Sequence, residues 1–510
     1  MAWLWPALVT LVVTLAGIGH AQPWRDELAT WSAVTRPVGD LIRLAGTIDS
    51  ATGPYYLFMH GWVTLAGTSP AALRLPSALA MAGAAALTAR LGARLVDARV
   101  GLLAGLLFAV LPSTSRYGQE ARPYALATLF AVLATVLLVG ALRQASWPRW
   151  AGYAAAVAAL GLVHLIALTL LAAHGVVVLL AAWRGSAAIP GALAHDAVSD
   201  RAACGHPPDD PAGNRATGER AAGKRTATGP HSGLLWHWAV ALLPAALLVT
   251  PLVLLAGSQR PRQLDWVHLA RPADLAALPA GVAQSGVVGG LLVGLAALGA
   301  GRLGRRALLP GAAVLLPVLL LFAAGMVVPL WVTRYLVFTV PFACLLAGAA
   351  LAGVRLAPAL AVVVLAGALG APDQAALRRT HEWPRTAGVD YRGAARVIAE
   401  HQQRGDTIVY SPRDSWLFLD LGMAYHLGSR RPRDVLVARD QRQRADLWAS
   451  ECDHPETCLS GVERIWLVAA GRRTDPLAAV PGAKGAALRD AFTVQQVWSR
   501  PGITVALLTH

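Results

Sequence analysis

Most of the chain alternates long apolar runs with short polar connectors. A helix needs ~20 mostly apolar residues to cross a hydrocarbon core. Such runs fall at 2–19, 72–93, 99–114, 122–142, 150–164, 165–183, 235–256, 280–300, 307–328, 333–353 and 358–372. The pattern predicts about eleven spans by that length criterion. The stretch 150–183 is long for one helix and short for two, and His164 marks the expected break. Residues 185–233 are rich in Gly, Ala, Pro, Asp and Arg, have no apolar period, and read as a disordered linker. From residue 380 the pattern changes. An amphipathic helix is expected at Ala394–Gln403 and a second at Ser415–Leu427, with short apolar strands at Thr407–Tyr410, Asp434–Val437, Arg464–Val468 and Thr504–Leu508. Helices alternating with strands make a small α/β layer. No glycine-rich phosphate loop opens any of these helices, which argues against nucleotide binding. The expected fold is an α-helical polytopic membrane protein, residues 1–372, followed by a C-terminal α/β domain, residues 380–510.

Composition agrees with this reading. The 510 residues are 55% hydrophobic and 14% charged, whereas soluble domains carry roughly a quarter charged residues. The net charge of +15 is almost all arginine, since Lys224 and Lys484 are the only lysines. These arginines lie mostly in short loops, so they indicate topology rather than nucleic-acid binding. With the N-terminus inside, the inside loops hold Arg94 and Arg99, Arg143 and Arg149, Arg302, Arg305 and Arg306, and Arg355. An odd number of spans then puts the C-terminal domain outside. Residues 1–19 lack a basic leading region and an Ala-x-Ala site, so they read as a retained span rather than a cleaved signal. Cys452 and Cys458 flank His454. They form either a small disulfide loop or part of a metal site. No second cysteine pair completes a zinc site, so the disulfide is preferred, and it needs an oxidising compartment. The expected location is the plasma membrane, with the N-terminus cytoplasmic and the C-terminal domain extracytoplasmic.

The unusual polar residues gather on the outside face. Trp24-Arg25-Asp26-Glu27-Leu28-Ala29-Thr30 puts two adjacent acids at a membrane surface. The first loop adds Asp49, Tyr55, Tyr56 and His60. The connector Arg116-Tyr117-Gly118-Gln119-Glu120-Ala121-Arg122-Pro123-Tyr124 lies on the same side, and Arg334-Tyr335 opens a later span. A charge such as Arg334 at an apolar span is costly without a partner or a function. Guanidinium matches phosphate in a bidentate fork, aromatic faces suit a sugar, and a carboxylate can take a proton from an acceptor. Together these residues fit a site for an anionic lipid carrier and a polar sugar.

At these motifs, and at Ala72-Leu73-Arg74-Leu75-Pro76-Ser77, the chain resembles bacterial GT-C glycosyltransferases. The similar group contains protein O-mannosyltransferases and lipid A aminoarabinose transferases, including actinobacterial mannosyltransferase-like members. The resemblance implies short helices in the first outside loop. It also implies transfer of a sugar, with inversion, from a polyprenyl-phosphate donor to a glycan, lipoglycan or protein acceptor. Asp26 would be the base and Glu27 its support. Arg116, Arg122, Arg334 and Tyr335 would hold the donor phosphate. Tyr56, His60, Gln119 and Glu120 would contact substrate. One base and phosphate stabilisation should suffice for such a donor, and Asp26 and Glu27 leave room for a divalent cation with the lipid phosphate. The C-terminal part is not the repeat module of eukaryotic protein O-mannosyltransferases, so the resemblance does not fix a protein acceptor.

Two other classes compete. A lipid or sugar transporter would also place charges near spans, but should carry inverted repeats and midplane charges; no repeat is visible. A catalytically silent assembly protein would leave the outside-face residues without a role.

Overall fold

The computed structural model describes residues 2–184, 232–382 and 388–510; the linker expected at 185–233 falls almost wholly outside them. The first helix is α1 (Leu4–Leu15). Three short helices follow in the first loop, α2 (Arg25–Val34), α3 (Val38–Thr47) and α4 (Gly53–Ala66). The bundle continues with α5 (Pro70–Leu95), α6 (Ala98–Val110), α7 (Pro112–Gly118), α8 (Tyr124–Arg143), α9 (Trp147–Val163), α10 (Leu170–Arg184) and α11 (Ser232–Gln263). Two short helices, α12 (Pro272–Ala276) and α13 (Leu278–Ala283), lead into α14 (Gly286–Leu303), α15 (Leu308–Val327), α16 (Val340–Leu351) and α17 (Leu356–Arg379).

Each expected span coincides with an apolar helix. By length and composition alone, seven helical stretches among the described residues can cross a membrane, or eight if the bent pair α6–α7 is one span. One of the seven, Gly286–Val327, contains both α14 and α15. Gly304, at φ +52°, separates them with a backbone conformation that glycine adopts without a Cβ clash. The other shortfall is length: α1 has 12 residues and α9 has 17. The break expected at His164 is present, because α9 ends at Val163 and a 3-10 turn covers Leu165–Thr169.

Local chemistry sets the helix starts. Ser69 accepts the Ala72 N–H and Pro70 occupies the first turn of α5. Asp97 accepts the N–H groups of Arg99 and Val100 to start α6. Small residues let the helices close on one another: any side chain at Gly101 would collide with Ala89 O, and any at Gly299 with Leu346 O.

The two ends of the bundle differ. At one end Arg143 donates to the Arg94 carbonyl, Arg99 to the Val354 carbonyl, and Arg302 to the Ala350 carbonyl. At the other end lie the first-loop helices and the C-terminal domain. That domain opens with α18 (Tyr391–His401) and contains α19 (Leu419–Leu427), α20 (Pro455–Cys458) and α21 (Gly482–Ala491).

Its main sheet is built from β1 (Thr407–Ser411), β2 (Arg433–Asp434), β5 (Arg464–Ala470), β6 (Thr493–Arg500) and β7 (Ile503–Thr509), in the order β2-β1-β5-β7-β6. β1 runs parallel to β2 and β5, and β7 is antiparallel to β5 and β6. A separate antiparallel pair joins β3 (Val437–Arg439) to β4 (Ser450–Glu451). The strand expected at 434–437 is thus divided between β2 and β3. β6 has largely exposed residues rather than an apolar run, which is why the pattern did not reveal it. Cys452 and Cys458 are joined by a disulfide, and His454 lies 78% exposed beside it.

The C-terminal domain and the first loop share one core. Leu28, Leu41, Leu44 and Met59 pack with Tyr391, Ile398, Phe418 and Trp448. Polar clamps reinforce it: Arg36 donates to the Asp446 carbonyl at 2.7 Å, Arg442 pairs with Asp40 at 3.0 Å, and Tyr425 donates to the Thr68 carbonyl at 3.0 Å. The domain therefore roofs the end of the bundle that carries Asp26.

Candidate active site

Helix α2 orients the acidic pair. Trp24 is extended and caps the helix, and its N–H donates to Glu27 Oε2 at 3.4 Å. Consecutive helical residues point about 100° apart, so Asp26 and Glu27 enter different surroundings.

Glu27 faces inward and is 1% exposed. Arg74 grips it in a fork, with Nε 2.8 Å from Oε1 and a terminal nitrogen 2.6 Å from Oε2. The Ala121 N–H donates to Oε1 at 2.9 Å. Burial raises the Glu27 carboxyl, but the charge and hydrogen bonds of Arg74 outweigh it and hold the group well below the usual glutamate range. His381 lies 3.8 Å away. Burial, with Arg116 and Arg74 nearby, lowers its imidazole to about 3, so it stays neutral. Arg74 also donates to the carbonyls of Ile18 and Ala21 at 2.8 and 2.9 Å, tying α5 to the end of the first helical segment.

Asp26 points instead into a cavity of about 390 Å³, lined among others by Arg25, Asp49, Arg122, Trp266, Arg334 and Trp416. Arg334 approaches Asp26 Oδ2 at 3.6 Å, a separation that leaves both groups able to engage a ligand. The Arg334 guanidinium lies 5.2 Å above the Trp266 ring, which helps hold a charge at an apolar boundary.

A second, more apolar cavity of about 290 Å³ adjoins the first. Its walls include Val163, Ile166, Val253, Ala256 and Leu330, and it shares Arg122, Gln263, Leu264 and Tyr335 with the larger cavity. Arg122 and Tyr335 therefore stand at the neck between an apolar chamber and a polar one. Arg122 donates to Tyr56 Oη at 3.4 Å, and Tyr56 in turn donates to Asp49 Oδ2. Asp49 adopts a left-handed backbone, φ 58°, and its other oxygen accepts from Thr52 at 2.7 Å and Gln263 at 2.5 Å. That turn holds the carboxylate behind Arg122, to which Tyr56 connects it.

The structure thus brings Asp26, Arg122, Arg334 and Tyr335 to one cavity, and corrects the placement of the other expected site residues. Glu27 is sealed by Arg74. Arg116 lies under the Trp24 ring at 5.0 Å, donates to the His381 carbonyl at 2.7 Å, and pairs with Glu120 at 3.2 Å. It lines neither cavity. Glu120 is buried beside it; burial, despite Arg116 and helped by Asp26 and Glu27, pushes its carboxyl up to about 7. Gln119 donates to the carbonyls of Thr14 and Ala16, both at 2.8 Å, and so caps the end of α1. His60 donates through Nδ1 to the Val34 carbonyl at 2.9 Å, pinning α4 to α2. Tyr56 is a strut behind Arg122 rather than a cavity wall. Asp26 and Glu27 do not form a cation cage, because both Glu27 oxygens are engaged by Arg74. Among the described residues no cluster of three His, Cys, Asp or Glu could hold a metal ion.

Sequence reasoning missed Arg74 as the partner of Glu27. Its signal was the same as that of Arg334: a lone charge at the mouth of an apolar helix. It also missed Glu382, 3.6 Å from Arg25. Burial raises the Glu382 carboxyl to about 7, with Arg25 opposing and Asp26 adding to the shift. Nothing in local pattern marks Trp416 or Phe418, which the C-terminal domain adds to the cavity wall.

Residues 53–194 match the family described as dolichyl-phosphate-mannose-protein mannosyltransferase. ArnT from Cupriavidus metallidurans superposes with a TM-score of 0.57 in the apo state at 14% identity, over 99% of this chain and 97% of that one. The chain shares the fold of this membrane protein over nearly its whole length. The same ArnT bound to undecaprenyl phosphate gives 0.58, again at 14% identity and over the same shares of the two chains. The oligosaccharyltransferase of Archaeoglobus fulgidus, in its complex with Zn and sulfate, gives 0.50 at 12% identity, over 99% of this chain and 73% of that one. No curated protein matches the chain. In this chain the family match covers the first-loop helix α4 through α10, and the shared fold extends over the C-terminal domain.

Proposed function

We propose that the protein transfers a sugar, with mannose the first candidate, from a polyprenyl-phosphate donor to an acceptor hydroxyl on the outer side of the plasma membrane. The observation that carries this reading is the pair of joined cavities. An apolar chamber suits a lipid tail, the Arg122–Tyr335 neck with Arg334 suits its phosphate, and Asp26 lies in the polar chamber beyond. The undecaprenyl phosphate bound by the ArnT neighbour supports the choice of carrier.

The chemistry balances with few groups. The Asp26 carboxylate takes the proton of the acceptor hydroxyl as its oxygen bonds to the sugar C1. The C1–O bond to phosphate breaks on the opposite side, so the anomeric centre inverts. Both electrons leave with the lipid phosphate, whose developing charge faces Arg122 and Arg334. The donor is already activated, so no nucleotide takes part in the step.

The test is sugar transfer by purified protein, offered radiolabelled polyprenyl-phosphate mannose beside GDP-mannose, with Asp26→Asn and added chelator as controls. Turnover of the lipid donor alone, lost in the variant, is the expected result. Near-normal transfer by Asp26→Asn would remove Asp26 as the base. Flux across sealed liposomes without any product would replace the whole reading with transport.

A further inference from the structure

We infer that the C-terminal domain supplies the acceptor wall of the cavity, and that the acceptor is a saccharide whose ring packs against Trp416. This rests on the proposed donor chemistry and adds to it the class of acceptor.

The cavity that holds Asp26 is closed by two parts of the chain distant in sequence. Trp416, Phe418 and Leu447 come from the C-terminal domain, and they line the larger chamber but not the apolar one. In a displacement with inversion the nucleophile stands opposite the leaving phosphate. With the phosphate at the neck, the acceptor enters from the larger chamber, to which these C-terminal residues contribute.

The wall is built to be rigid. Trp416 stands edge-on to Trp448 at 4.6 Å and to Phe418 at 5.9 Å, while Phe418 stacks on Trp448 at 5.4 Å. Among the described residues no ring stacks flat on Trp416, and unlike Phe418 it is only partly buried. Its indole N–H donates to Asp265 Oδ1 at 3.2 Å, which fixes the ring to the loop after α11. Arg262 pairs with Asp446 at 2.7 Å and lies 5.3 Å above the Trp448 ring, so the last turn of α11 also braces the cluster. Phe418 is held in a left-handed backbone, φ 49° and ψ 51°, which is sparsely populated for a bulky residue. Such strain persists where surrounding contacts hold it, and it gathers at ligand sites.

The ligand chemistry follows from what lines the chamber. A sugar ring has an apolar C–H face and a rim of hydroxyls. The chamber offers the aromatic surface of Trp416 and Trp266 together with the Asp26 carboxylate. A seryl or threonyl side chain has the hydroxyl but no face to match the aromatic wall.

The experiment measures transfer from radiolabelled polyprenyl-phosphate mannose to disaccharides of mannose, glucose, galactose and arabinose, and to a threonine-rich peptide. Wild-type protein, Trp416→Ala and Trp416→Phe are compared. The wild type is expected to glycosylate at least one saccharide and to prefer it to the peptide. Trp416→Ala should raise the saccharide KM by about five- to tenfold, the size of one aromatic contact, with the donor KM moving less than twofold. Trp416→Phe should recover most of the loss, which a merely misfolded domain would not do. If Trp416→Ala fails to fold, Trp416→Leu, which keeps an apolar side chain but no ring, takes its place with the same rise in saccharide KM expected. Transfer to the peptide in preference to every saccharide, donor turnover without transfer to any saccharide, an unchanged saccharide KM, or a rise in donor KM instead would each overturn the inference. The last outcome would assign the wall to the donor sugar. A wild type that turns over no lipid donor at all would instead sink the donor reading beneath it.

Discussion

Two arginine–carboxylate pairs sit one helical step apart and do opposite things. Below α2, Arg74 and Glu27 form a closed fork at 2.6 and 2.8 Å, both 1% exposed, with further bonds from Ala121 and to Ile18. Above it, Arg334 and Asp26 stand 3.6 Å apart, each 19% exposed, on the wall of a cavity. The floor fastens α2, α5 and the connector before α8 into one body. The chamber keeps a carboxylate and a guanidinium incompletely satisfied, which is costly for stability and useful for chemistry. Asp26 Oδ2 and Arg334 Nε, for instance, are buried without a hydrogen bond. The lesson is that adjacency and charge do not determine role; the number of partners already engaged does.

The comparison would break most directly at Asp26. Asp26→Asn should lower kcat by about 10²- to 10⁴-fold, the range for removing a general base, while thermal unfolding in detergent stays close to wild type. Glu27→Gln should do the reverse. Leaving Arg74 as an unpaired buried charge costs about 3–5 kcal/mol, so unfolding should shift strongly downward, and any activity loss should follow the folded fraction. If Glu27→Gln is stable but inactive, the distinction between floor and chamber fails.

The arginines sharpen the same contrast. If Arg122 holds the donor phosphate as proposed, Arg122→Lys should raise the donor KM by about tenfold, because lysine lacks the bidentate fork. Arg116→Lys should leave the donor KM within twofold, because Arg116 contacts Trp24, Glu120 and the His381 carbonyl rather than the cavity. Equal effects on donor KM would return Arg116 to the site.

The smallest expected effect is at Glu382. Its carboxyl is raised to about 7 in the folded protein from an ordinary value of 4.5. Its stabilising contribution is therefore full below about 4.5 and is lost as pH rises through about 7. Between pH 5 and pH 8 the Tm of the wild type should fall by a few degrees more than that of Glu382→Gln. Parallel Tm profiles would show that Glu382 does not titrate in this window.

Much of the fold was legible in advance. Apolar run length marked each bundle helix, because the backbone in hydrocarbon must satisfy its own hydrogen bonds and so becomes helical. His164 marked the break between α9 and the following turn, and strand–helix alternation marked the C-terminal layer. β6 was not legible, since an edge strand with exposed residues carries little apolar signal. The expected site residues fall in segments that meet at one end of the bundle, but they do not all reach one cavity. Gln119 and His60 lie in those segments yet hold helices together.

By itself, then, the sequence determined a polytopic helical bundle, a small α/β domain after it, and a concentration of acids, arginines and aromatics at one end of the bundle. Those properties follow from hydropathy, periodicity and the cost of charge near lipid, all of which are local. Only the tertiary structure decided that Asp26 opens to a cavity while Glu27 closes on Arg74, 47 residues away. It alone placed Trp416 against Asp265, 151 residues away, to wall that cavity. Such choices depend on which side chains from distant segments arrive at the same point, and a carboxylate's role is set there by how many of its hydrogen-bond positions the fold has already filled.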